Sequence, residues 1–158
     1  MQNLRPILIV AFLMFCLCGQ SQNLSDKKNI VQLQIHPIGR SHNGGIIELD
    51  YERYLGETNS WSIRLGIKAP CTESLILIPI SIQKIFWAQK KNQFEIGVGT
   101  GERFELYNGN MYHFRFFPMI NLMYRNNISE RLHFRLGLTG YITWGSSISP
   151  NIGLGYKF

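Results

Sequence analysis

Residues 131–144 read RLHFRLGLTGYITW. Leu132, Phe134, Leu136, Leu138, Ile142 and Trp144 fall on one side of an extended chain. Arg131, His133, Arg135, Gly137, Thr139 and Thr143 fall on the other. Successive side chains of a strand point to opposite faces, so a period of two marks a β-strand with one apolar and one polar face.

The same pattern recurs in both directions along the chain. In 151–158, NIGLGYKF, the residues Ile152, Leu154, Tyr156 and Phe158 oppose Asn151, Gly153, Gly155 and Lys157. In 112–124, Phe116, Ile120, Leu122 and Tyr124 oppose His113, Arg115, Met119 and Asn121. In 61–68, Trp61, Ile63, Leu65 and Ile67 oppose Ser62, Arg64, Gly66 and Lys68. The alternation predicts eight strands, over 30–38, 46–54, 61–68, 75–87, 93–102, 112–124, 131–144 and 150–158. Between them lie GRSHNGG, LGETNS, APCTES, AQKKN, RFELYNGNM, RNNISE and GSSIS, rich in turn-forming residues or charge. The fold class is therefore all-β, an eight-stranded antiparallel up-and-down barrel.

Which face points inward separates two architectures. A secreted soluble barrel would bury its apolar rows. A transmembrane barrel turns them to lipid and keeps a polar interior. The apolar rows here exceed what an eight-stranded interior can hold, and aromatic residues gather at strand ends. Tyr54, Trp61, Trp87 and Tyr124 are assigned to one interfacial belt, Tyr112 and Trp144 to the other. The predicted strands also suit the ~9–11 residues of a tilted transmembrane strand.

The N-terminus reads differently. Arg5 precedes an apolar run over 7–18, too short to span a bilayer as a helix and suited to a signal-peptide core. Gly19 and Ser21 fit the positions before a cleavage site. The expected organisation is a cleaved signal peptide over 1–21, a short periplasmic segment over 22–29 and an outer-membrane barrel over 30–158. Losing Arg5 from 16 basic residues leaves 15 against 10 acidic, a net charge of +5. That excess is a weak argument for nucleic acid, which is not expected as a partner. It suits anionic lipid or lipopolysaccharide equally. Cys71 alone remains after cleavage, so no disulfide forms within one chain. An even strand number places both termini on one side, expected to be the periplasm.

An eight-stranded barrel is filled by its own side chains, so inward charges must pair. A turn over 56–60 places Glu52 opposite Arg64 and Glu48 opposite Lys68, with Asp50 between them. Glu95, Arg115, Arg135 and Lys157 are expected to complete the network. This favours a plugged lumen over an open pore.

The final strand resembles the recognition signal of Gram-negative outer-membrane barrels, carried here by Asn151, Gly153, Tyr156 and Phe158. That resemblance implies insertion by the barrel-assembly machinery. IIELDYERYLG with WSIRLGIK, FEIGVGTG, LHFRLGLTGYI and NIGLGYKF together resemble a family of small Gram-negative outer-membrane barrels of the eight-stranded type. The resemblance implies fold and location, and no activity.

No catalytic, cofactor or metal site is expected. Gly97, Gly99 and Gly101 form a G-x-G-x-G string inside a strand, whereas a dinucleotide loop must open a helix. Their expected role is to make room for bulky neighbours such as Arg115. Pairing around RNNISE sets His133 near Met123 and His113 near Thr143, about 30 Å apart at the strand rise, so the two cannot share a metal. Acyl-trimming chemistry would need a nucleophile, a base and an orienting acid together. Ser146, Ser147 and Ser149 have no histidine beside them in this register. The expected function is a non-enzymatic, monomeric membrane barrel with a structural or surface-interaction role. A channel or carrier for small hydrophobic molecules is the first alternative, and a lipid A-modifying enzyme the second.

Overall fold

The computed structural model describes residues 28–37, 45–70, 75–107, 110–142 and 147–158. Eight strands follow in chain order: β1 Asn29–His36, β2 Ile46–Leu55, β3 Trp61–Pro70, β4 Leu75–Phe86, β5 Asn92–Tyr107, β6 Asn110–Asn127, β7 Leu132–Tyr141 and β8 Ser147–Lys157. Each pairs antiparallel with its neighbours, and β8 pairs with β1, so the sheet closes into a barrel. Closure continues past β8. The Phe158 amide donates to the Asn29 carbonyl at 2.9 Å, and the Asn29 amide donates to the Phe158 carbonyl at 3.3 Å. The last residue is thus part of the seam.

The alternation separates the two faces as the sequence predicts. Arg135 is fully buried, whereas Leu136 beside it is 50% exposed. Leu154 is 58% exposed, and its partner across the seam, Leu33, is 50% exposed. Apolar side chains cover the outside, and the buried set is dominated by polar and charged groups. Neighbouring strands confine this inversion to one register, because a slip of one residue would exchange the faces.

Several strand boundaries differ from the sequence expectation. The stretch RFELYNGNM is largely strand rather than loop, since β5 and β6 pair as far as Tyr107 and Asn110. The register shifts between Arg103 and Phe104: Arg103 faces Arg115 and Phe104 faces His113, so Phe114 is the extra residue of a bulge. At the other end β6 runs on to Asn127 instead of stopping at Tyr124. Asparagines there bond across the hairpin rather than forming the turn. Asn126 Nδ2 donates to Asn92 Oδ1 at 2.6 Å, and the Asn127 amide donates to the Lys91 carbonyl at 2.8 Å. β7 ends at Tyr141, and β8 begins at Ser147 within the expected GSSIS turn.

The longer β6 corrects the β6–β7 register. His133 faces Asn127, not Met123, and Met123 faces Gly137. The displacement is four residues, an even number, so every side chain keeps its face. The β2–β3 register agrees with expectation: Glu48 faces Lys68 and Glu52 faces Arg64. In the short turns, Gly56, Asn59 and Trp87 adopt positive φ. Glycine and asparagine accept this readily, whereas for Trp87 it is uncommon.

Candidate functional site

The polar lumen concentrates the chemistry of this chain. In the half nearer the termini, Glu52 of β2 and Glu95 of β5 meet Arg64 of β3, Arg125 of β6 and Arg135 of β7. Arg125 Nη2 donates to both Glu52 oxygens at 2.7 Å. Arg135 Nη2 lies 2.8 Å from Glu52 Oε2 and 2.5 Å from Glu95 Oε2. Arg64 Nη2 lies 3.3 Å from Glu95 and 3.9 Å from Glu52. Arg125 Nε also contacts Glu95 Oε1. Arg135 Nη1 donates to Gln32 Oε1 at 2.6 Å, which ties in β1. Both glutamates and both of Arg125 and Arg135 are fully buried. Below this cluster, Ile30, Tyr54 and Ile85 pack into a small apolar cap.

In the opposite half the contacts form a string. Tyr141 Oη accepts from Lys68 Nζ at 2.7 Å, and Lys68 Nζ lies 2.7 Å from Glu48 Oε2. Glu48 Oε2 is 2.5 Å from His36 Nε2, and His36 Nδ1 is 3.2 Å from Ser149 Oγ. Asp50 accepts from the Gln34 amide on one oxygen, while its Oδ1 is buried without a hydrogen-bond partner. Beside it lies a cavity of about 10 Å³, bordered by Gln34, Asp50, Arg64, Lys68 and Met123. That volume holds about one water.

Most of the expected lumen residues meet here, with corrections. Glu48, Glu52, Arg64, Lys68, Glu95 and Arg135 are buried and paired. Asp50 is buried as expected, but it makes no direct ion pair with a base among the described residues; its neighbours are Gln34 and the cavity. Lys157 does not join the carboxylate cluster. It is only half-buried, and its Nζ donates to Asn127 Oδ1 at 2.6 Å. The side chain of Arg115 lies outside the described residues. Tyr54 is not in an outer belt: it shares the inward parity of Glu48, Asp50 and Glu52, and Arg125 donates to its hydroxyl. Trp61, Trp87 and Tyr124 stand outward at 43%, 63% and 42% exposure. Trp144, Cys71 and Ser146 lie outside the described residues, as does the side chain of Tyr112.

Gly97, Gly99 and Gly101 do face neighbours that fill the space a side chain would need. A Cβ on Gly97 would meet Gln83, and one on Gly101 the Phe117 ring. On Gly99 it would fall 2.2 Å from the Ile80 carbonyl. Asn151 and Gly153 of the closing signal are buried: Asn151 donates to Thr139 at 3.0 Å, and Gly153 admits Gln34.

Arg125 is the main residue that sequence reasoning misses. Its odd-numbered parity with Met119, Asn121 and Met123 is the signal that could have found it, masked by the turn-like RNNISE. The serine reading is also corrected, because His36 lies beside Ser149. The string contains a hydroxyl, an imidazole and a carboxylate. Ser149 is buried, Glu48 is held by Lys68, and the adjoining cavity admits a water but no acyl chain. Among the described residues no group of three or more metal-ligating side chains converges.

No family model matches the sequence, and no curated protein matches it. Solved structures do match its fold. The N-terminal β-barrel domain of Pseudomonas aeruginosa OprF aligns with a TM-score of 0.68 at 9% identity, covering 84% of this chain and 98% of that one. A de novo designed transmembrane β-barrel aligns with a TM-score of 0.63 at 9% identity, covering 87% and 100%. Neisserial surface protein A aligns with a TM-score of 0.60 at 10% identity, covering 84% and 98%. The chain has the closed, eight-stranded antiparallel fold of the small outer-membrane barrels.

Proposed function

We propose that this protein is an integral barrel of the bacterial outer membrane, without turnover, whose lumen is a charged plug. Its role is structural or surface-interacting. One observation carries the reading: the barrel is inverted, with Arg125, Arg135, Glu52 and Glu95 buried and rows of leucine and isoleucine outside. Leaving a Leu or Ile in water forgoes about 1.5–3 kcal/mol each, which lipid restores across the whole girdle. The interlocked Arg–Glu cluster and the ~10 Å³ cavity favour a plug over a channel or carrier.

On this reading residues 1–21 are a signal peptide and both termini are periplasmic. The barrel-assembly machinery inserts the chain, and lipid with lipopolysaccharide surrounds it. A closed barrel has no free edge strand, which supports a monomer. Fractionation tests location: a heat-dependent gel shift in the outer-membrane fraction is expected, and a soluble periplasmic protein would refute it. Planar-bilayer recording tests the plug, and steady pore currents would sink it. An altered lipid A acyl pattern in cells carrying the protein would replace the non-enzymatic reading.

A further inference from the structure

The charges of this barrel are unevenly placed. Inside, Glu48, Asp50, Glu52 and Glu95 balance Arg64, Lys68, Arg125 and Arg135. At the end away from the termini, the described side chains Glu102 and Arg103 carry opposite charges. At the end that carries both termini, Arg53, Lys84, Lys90, Lys91 and Arg131 face only Glu57 and Glu130 among the exposed turns and outward strand positions. Among the described residues the positive excess is therefore gathered at one rim.

The same rim carries the aromatic girdle. Trp61, Phe86, Trp87, Phe94, Tyr124 and Tyr156 are all exposed there. Two of the basic side chains are seated on it. Lys84 Nζ lies 4.8 Å from the centre of the Trp61 ring, and Arg131 Nη1 donates to the Tyr156 hydroxyl at 3.1 Å. Aromatic rings of this kind settle at headgroup level, and long basic side chains keep their stems on apolar surface with the charge at the boundary. The arrangement holds positive charge at the height of lipid phosphates.

We propose that this rim is a collar for anionic phospholipid headgroups, with Arg53, Lys84 and Arg131 as its contacts. The inference rests on the membrane reading above and adds a partner and a face to it. The recognised chemistry is the phosphodiester of a lipid carrying net negative charge, in the leaflet around the termini. A basic side chain near an anionic surface is drawn to it, and the attraction is screened by salt.

The test uses the full-length barrel refolded in phosphatidylcholine bilayers containing trace spin-labelled phosphatidylglycerol or phosphatidylcholine. The motionally restricted fraction of each label is measured by electron spin resonance. A preference of about threefold or more for phosphatidylglycerol is expected. It should fall towards one in 1 M salt and in the triple variant Arg53→Gln, Lys84→Gln, Arg131→Gln. Glu102→Gln, at the other end, should leave it unchanged. Equal restriction of both lipids by the wild type, or an undiminished preference in the triple variant, overturns the collar. Restricted phosphatidylcholine without selectivity defeats the collar alone, whereas no restricted lipid at all defeats the membrane reading. A heat-dependent gel shift verifies that the triple variant is folded. If it is not, Lys84→Gln and Arg131→Gln are read singly, and an unchanged preference in both overturns the proposal.

Discussion

The two halves of the lumen solve the same problem differently. Near the termini, three arginines interlock with two glutamates, reach strands far apart in sequence and rest on the apolar cap of Ile30, Tyr54 and Ile85. In the other half, the charged contacts run as a string from Tyr141 to Ser149, and Asp50 sits beside a small cavity with an unpaired oxygen. Each arginine offers five donors in a planar fork and can bind two carboxylates at once. Lys68 and His36 offer a point charge and a ring. The lesson is that guanidinium geometry, more than charge count, allows a buried ionic core to be cross-linked.

The largest effect is expected from Arg125→Ala. It takes the two-oxygen partner from Glu52 and one contact from Glu95, leaving Arg64 and Arg135 to hold both buried carboxylates, a loss of about 3–5 kcal/mol. Urea unfolding in detergent micelles should show it as a large fall in midpoint, and a fall as small as that from a string mutation would erase the contrast between the halves. Gly99→Ala comes next. Its new Cβ meets the Ile80 backbone carbonyl, which cannot swing away, so about 1–3 kcal/mol of overpacking is expected. Gly97→Ala should cost less in the same assay, because the colliding atoms belong to the end of Gln83.

Deleting Phe158 removes two seam hydrogen bonds to Asn29 at the clustered end. At about 1 kcal/mol each, the loss in the folded barrel is modest, whereas assembly in cells should suffer more. Normal outer-membrane levels of a chain ending at Lys157 would count against an assembly role. The smallest change is expected from Asp50→Asn. Asp50 makes no direct ion pair with a described base and keeps Gln34 as a neighbour, so the midpoint should move by less than about 1 kcal/mol, in either direction. A loss equal to that of Arg125→Ala would show that the string half is as tightly coupled as the cluster.

Much of this was legible from residue parity. Glu48 opposite Lys68 and Glu52 opposite Arg64 follow from a short turn and a two-residue period. Parity was also sufficient to place Tyr54 and Arg125 inside. Tyr54 is misread when its position at a strand end is weighed above its alternation with Glu52. Arg125 is misread because RNNISE looks like a turn. The partners across the lumen were not legible. Glu52 faces Arg64 across the sheet, yet its shortest ion pairs are with Arg125 and Arg135, which project from the far wall of the barrel.

The sequence by itself determined the number of strands, their two faces and the charges that must share the interior, because each depends on neighbours along the chain. Only the tertiary structure decided which charges meet, that Asp50 is left with an amide, and that His36 reaches Ser149. Those pairings depend on closure of β8 onto β1 and on the bore of the closed barrel. Closure sets distances across the lumen, and no local pattern encodes them.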